Sequence, residues 1–120
     1  MGLVTDAPYH EICYKIIGAA MHVQNRLGPG HKESVYQHGL TLRLGEIGLS
    51  CVPEQAVELS LDDATLGLLY VDHIVEDAVV VEEKALSHLL TNEEMAQLIT
   101  YLVALDKPVG LLLNFGRRHL

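Results

Sequence analysis

The sequence predicts a mixed α/β domain in the order α-α-β-β-β-α-β, with a central mixed four-stranded sheet flanked by helices. Three observations predict it. Apolar residues recur at helical spacing through the first 47 or so residues. Two strand-like segments then flank a short polar connection at Glu76-Asp77. Last, a capped helical segment is followed by a continuous apolar run, the pattern of a crossover helix and a buried parallel strand.

The first helix is expected from Ala7 to Leu27, where Ile12, Ile16, Ile17, Ala20, Val23 and Leu27 share a stripe. Thr5 or Asp6 suits its cap and Pro8 its first turn. Gly28-Pro29-Gly30 ends it. The second helix is expected from Lys32 to Ile47 on Val35, Tyr36, Leu40, Leu44 and Ile47, with Gly48 as its stop. Gly39 and Gly45 each weaken it, by up to about 1 kcal/mol relative to alanine.

The first strand is expected near Ala56 to Leu61, with Val57, Leu59 and Leu61 on one face, followed by a turn over Asp62-Asp63-Ala64-Thr65. The second is Leu69 to Val75 and the third Val79 to Lys84, whose three valines read as buried on both faces. Thr91 with Glu94 is a capping-box pattern that opens a third helix through Met95, Leu98, Ile99, Leu102 and Leu105. Lys107-Pro108 ends it, and Val109 to Phe115 forms the last strand. Asn114-Phe115-Gly116 reads as an ordinary strand exit.

Composition limits the function classes. A 120-residue chain that is 49% hydrophobic suits one folded domain spanning residues 1–120. Its apolar runs are too short to span a bilayer. The N-terminal residues lack a basic region followed by an apolar stretch, so a cytoplasmic location without membrane association is expected. Cys13 and Cys51 form no Cys-x-x-Cys pair, which argues against a zinc knuckle and for reduced thiols.

The chemistry concentrates around Asp72 and Glu82-Glu83-Lys84. A hairpin centred near Asp77 sets position 72 opposite 82, and Asp72, Glu82 and Lys84 then project from one face. Two opposed carboxylates repel each other. A divalent cation between them removes that penalty, and the lysine can hold a water or an anionic oxygen. The plain alternative is a solvated strand end. Glu33 suits a helix N-terminus on dipole grounds, or points at the same cation. Gln97 and Tyr101, four apart on the third helix, form a polar flank or look into the site.

Together these residues resemble the GxxExxY family, which is placed within the PD-(D/E)XK nuclease superfamily. The carriers are Leu27-Gly28-Pro29-Gly30, Gly30-x-x-Glu33-x-x-Tyr36, Asp72, Glu82-x-Lys84, Gln97-x-x-x-Tyr101 and Gly110 to Gly116. The resemblance covers nearly the whole chain and implies a restriction-endonuclease-like core. It also implies a nuclease that hydrolyses phosphodiester bonds of DNA or RNA, DNA ahead of RNA, with Mg2+ or Mn2+. Asp72, Glu82 and Glu33 would be the metal ligands. Lys84 would act on the attacking water or the developing charge, and Gln97 and Tyr101 would complete the catalytic set. The chain departs from the family pattern in three places, one of them the run of only four residues after Gly116, where relatives commonly run a little further. Gln24 stands where many relatives carry histidine, and Glu83 where an apolar residue is usual. Strand alternation turns Glu83 away from Glu82, where burial is costly unless the carboxyl is paired.

The net charge of -8 runs against backbone affinity, which comes largely from lysine and arginine. It points to a weak or local nucleic-acid surface, a homodimer, or a protein partner that supplies positive charge. Arg117-Arg118-His119 is the tightest basic group. A competing reading follows from the same charge, Glu83 and Gln24: a catalytically silent nuclease-fold domain that binds a protein partner or nucleic acid.

Overall fold

The computed structural model describes residues 9–116 and 120. The elements are α1 (His10–Leu27), α2 (Glu33–Glu46), β1 (Cys51–Leu61), β2 (Ala64–Val75), β3 (Val79–Lys84), α3 (Asn92–Leu105) and β4 (Val109–Asn114). This is the expected order. The strands form one mixed sheet in the order β1-β2-β3-β4. β1, β2 and β3 pair antiparallel, and β3 pairs in parallel with β4 through the α3 crossover.

The helices cover both faces of the sheet. Ile16, Ala20 and Val23 of α1 and Tyr36, Leu40 and Leu44 of α2 pack with Val75, Val79, Val81 and Leu113. Leu98 and Tyr101 of α3 pack with Val57, Val71, Ile74 and Val80 on the other face. Val79, Val80 and Val81 are fully buried because both faces are covered, as their continuous run anticipates. Two glycines permit the close contacts. A Cβ at Gly39 would stand 3.0 Å from Val23 of α1, and one at Gly110 would stand 2.9 Å from Leu98 of α3. Gly39, read from sequence as a helix weakness, is a packing site.

Several boundaries differ from expectation. α1 begins at His10, and the proposed caps Thr5 and Asp6 and the first-turn Pro8 lie outside the described residues, as does Arg117-Arg118-His119. β1 begins five residues early, at Cys51, and contains Pro53. An edge strand tolerates proline because its N–H can face away from the ladder. The expected four-residue turn shrinks to Asp62-Asp63, since Ala64 and Thr65 already pair in β2. Leu61 of the supposed apolar face is 63% exposed, because the β1–β2 hairpin runs on well past its partner β3. On α3, Leu98, Leu102 and Leu105 face the sheet as expected and Tyr101 is buried beside them, while Met95 and Ile99 are exposed.

The strand exit after β4 is more constrained than an ordinary turn. Asn114 accepts from the backbone N–H of Leu86 at 2.9 Å and of Gly116 at 3.0 Å, and donates to the His88 carbonyl at 2.9 Å. It pins the loop that follows Lys84. A Cβ at Gly116 would meet the Leu86 carbonyl oxygen at 2.2 Å, and backbone cannot easily give way. Gly116→Ala is therefore expected to destabilise the protein by about 1–3 kcal/mol. A lowered denaturation midpoint with an unchanged m-value would register it.

Candidate active site

Glu33, Asp72, Glu82 and Lys84 come from three elements that the fold brings to one end of the sheet. The β2–β3 ladder runs from Val75↔Val79 to His73↔Val81. The same register carried one step on sets Asp72 across from Glu82, as the hairpin argument requires. There the ladder stops and side chains replace it. The backbone N–H of Asp72 donates to Glu82 Oε1 at 2.9 Å, and that of Glu83 donates to Asp72 Oδ2 at 2.7 Å. Val71 and Ile74, three apart, both pack toward α3, so strand alternation is broken between them. On β1 nearby, Glu54 has φ +53° and no ladder partner in the described register. This irregularity turns Asp72 toward α2. Gln37 Nε2 donates to Asp72 Oδ1 at 2.9 Å and lies 3.5 Å from Glu33 Oε1, the outer limit of a hydrogen bond.

Glu33 is the first residue of α2. The turn before it is latched by Tyr36, whose hydroxyl donates to the Gly28 carbonyl at 2.6 Å and accepts from the His31 N–H at 3.3 Å. The Tyr36 ring is buried and stacks on Phe115 at 4.9 Å. Gly28 and Gly30 take φ +74° and +93°, which suits glycine. The spacing from Gly30 through Glu33 to Tyr36 thus sets where the acid sits.

The site's electrostatics follow from crowding. Glu82 is 4% exposed, and burial followed by the charge of Asp72 pushes its carboxyl up to about 7. Burial also raises Glu33, with Asp72 adding to the rise and Lys84 opposing it. Lys84 Nζ donates to Gln97 Oε1 at 3.2 Å, and the ammonium is in no ion pair among the described residues. Gln97 itself is exposed. Tyr101 is buried in the cluster beneath α3, so the polar-flank reading of it is corrected. Burial, then Glu82 and Asp72, raise its phenol. A cleft of about 330 Å³ opens beside Asp72, lined by Gln37, Glu54, Tyr70 and Val71.

A family-model comparison matches residues 10–120 to the PD-(D/E)XK nuclease superfamily. The chain belongs to that superfamily. The match spans every element described above, and the mixed sheet flanked by helices is a restriction-endonuclease-like fold. Neither the curated proteins nor the solved structures yield a match.

PD-(D/E)XK nucleases generally use divalent metals. Among the described residues, no three His, Cys, Asp or Glu side chains close into a preformed metal cage. Glu33 therefore does not complete a three-carboxylate cage with Asp72 and Glu82 in this structure. The donor chemistry nonetheless fits a hard cation. Asp72 and Glu82 supply carboxylate oxygens, and burial followed by the Asp72 charge raises the Glu82 carboxyl, a cost that a cation would relieve. Magnesium is typically held by one or two carboxylates plus waters and substrate phosphate oxygens, not by an all-protein cage.

Sequence reasoning missed Gln37, Thr41 and His73. The first two were in reach: Glu33, Gln37 and Thr41 recur at intervals of four on one face of α2. His73 was not, because nothing in the sequence brings it to Thr41. Its Nε2 lies 2.7 Å from the Thr41 hydroxyl, and its Nδ1 lies 2.7 Å from Glu83 Oε1. Glu83 is fully buried on the α1–α2 side, as alternation predicts, beside His73 and the Asp72 carboxyl.

Proposed function

We propose that this chain is a divalent-metal-dependent nuclease of the GxxExxY type, acting as one domain on the phosphodiester bonds of nucleic acid. One observation carries the reading: Asp72 and Glu82 interlock where the β2–β3 ladder ends, with Lys84 beside them and Glu33 facing them from α2. This arrangement occurs in a chain of the nuclease superfamily.

Asp72 and Glu82 would hold Mg2+ or Mn2+, with Glu33 near enough to contribute through its charge. The bound cation would polarise the scissile phosphate and ease deprotonation of the attacking water. Lys84 would place its ammonium against the negative charge that develops on the phosphate oxygens. Gln97 accepts from that ammonium and so directs it. Tyr101 supports the same region from the core beneath α3. With a net charge of -8, the chain would bind its substrate weakly, or with a second copy or partner supplying positive charge.

The test is cleavage of single- and double-stranded DNA and RNA by purified protein with Mg2+, with Mn2+ and with chelator. Metal-dependent cleavage that Lys84→Ala lowers by about 100-fold or more is expected, the usual loss when a group that stabilises transition-state charge is removed. If none of the four substrates is cut with either metal, the nuclease reading fails.

A further inference from the structure

Glu83 and His73 belong to a closed circuit of contacts that begins and ends on Asp72. The Glu83 backbone N–H donates to Asp72 Oδ2 at 2.7 Å. The Glu83 side chain meets His73 Nδ1 at 2.7 Å, with both residues at most 1% exposed. The two atoms are close without the alignment of a full hydrogen bond, so the separation and burial define the contact. On the far side of the ring, His73 Nε2 meets Thr41 Oγ at 2.7 Å. Thr41 donates its hydroxyl proton to the Gln37 backbone carbonyl at 3.0 Å, one helical turn before it. Its oxygen must then accept from His73, which assigns the proton to Nε2 and leaves Nδ1 facing Glu83. Gln37 closes the circuit by donating to Asp72 Oδ1 at 2.9 Å.

We infer that the buried Glu83–His73–Thr41 chain is a positioning device that acts through Gln37 to hold the Asp72 carboxylate in its ligating orientation. Both Asp72 oxygens are tied to this circuit, one by the backbone of Glu83 and the other by Gln37. A buried carboxyl and imidazole are costly to place in a core. A circuit that fixes the residue on which the site depends gives that burial a role. In metal sites, groups that orient a ligand from behind commonly contribute about 10–100-fold in metal affinity or activity. The inference rests on the nuclease reading for what Asp72 does, but the circuit itself can be tested without metal or substrate.

Thr41→Val removes the hydroxyl that lies between His73 and the Gln37 backbone carbonyl, and Thr41→Ser keeps it. Thr41 is only partly buried, so the valine variant should fold. In the metal-free protein, hydrogen exchange by NMR should show the Glu83 backbone amide and the Gln37 side-chain amide exchanging about tenfold faster in Thr41→Val. The Val80 amide in the sheet should be unchanged, and Thr41→Ser should behave like the parent. Calorimetric titration with Mn2+ should show affinity reduced by about tenfold in Thr41→Val and restored in Thr41→Ser. Gln37→Met should lower affinity by itself, and adding Thr41→Val to it should cause little further loss, because the two act in series. Unchanged exchange at Glu83 and Gln37, additive effects on affinity, or lowered stability with unaltered Mn2+ affinity would each overturn the inference. A parent protein that binds no Mn2+ would overturn the nuclease reading instead, and the exchange measurement would still decide the circuit.

Discussion

Asp72→Asn is expected to abolish metal-dependent cleavage, by about 1,000-fold or more, while leaving the chain folded. That factor corresponds to about 4 kcal/mol of transition-state stabilisation, within the several kcal/mol that a bound cation supplies. Asparagine keeps the shape of aspartate and one carbonyl oxygen, but it removes the charge and turns an NH2 group toward one of two donors, Gln37 Nε2 or the Glu83 N–H. Loss of Mn2+ affinity should therefore accompany the loss of rate. An independent sign should appear at Glu82. The Asp72 charge helps to raise its carboxyl, so in Asp72→Asn the Glu82 carboxyl should titrate lower than in the parent. Carboxyl NMR would follow it. Retained cleavage in a folded Asp72→Asn protein would rule out the assignment of Asp72.

Glu82→Gln is expected to have effects of opposite sign on stability and on function. Glu82 is pushed up from an ordinary 4.5 to about 7 by burial and by Asp72. A carboxyl raised on folding contributes stability that is complete below its unfolded value and is lost as pH rises through the folded value. The metal-free protein thus loses stability between these two values, where the unfolded chain gives up the proton and the folded site keeps it, and above the upper value it carries an ionised, crowded Glu82. Glutamine retains an oxygen for the Asp72 N–H and cannot ionise. The variant should equal the parent near pH 4.5 and exceed it by up to about 3 kcal/mol near pH 8, at about 1.4 kcal/mol per pKa unit. His73 is pushed down to about 4 by burial and has the opposite slope, with stability lost as pH falls through that value. It partly offsets Glu82 in the parent, but it is common to both proteins and cancels in the comparison. Chemical denaturation of both at several pH values, with chelator, would measure the difference. The same variant should bind Mn2+ more weakly and cleave more slowly. A more stable protein with a poorer site is the trade-off expected where function keeps carboxylates crowded. Equal stability at pH 8 would show that Glu82 is not held in the strained ionised form argued for it.

The sites of agreement and of error follow physical lines. β3 was legible to the residue because Val79-Val80-Val81 is an uninterrupted apolar run ended by charges. The register of the β2–β3 hairpin was legible because a short turn leaves little choice. The α3 start was legible because a capping box is a local interaction, and the structure contains it. β1 was cut short because the alternation of Val57, Leu59 and Leu61 that marks it begins only near Ala56, while the observed strand starts at Cys51. On α3 the apolar side of Leu98, Leu102 and Leu105 was legible from helical spacing, while the burial of Tyr101 beside them was not, because spacing does not say which neighbour a face meets.

The sequence by itself determined the element order, the superfamily resemblance, and the placing of Asp72 opposite Glu82. Each of these rests on local periodicity or on spacing along one hairpin. Only the tertiary structure decided how Asp72 is held. Gln37 and Thr41 on α2 lie more than thirty positions from Asp72 and His73, the partners they meet. It also decided the standing of Glu83. In sequence it is an unexplained acid inside the motif. In the fold it is a buried carboxyl against an imidazole, and its backbone N–H holds the neighbouring carboxylate. A buried carboxyl is tolerable or ruinous according to what lies within about 3 Å of it, and that is set by packing between elements rather than by position along the chain.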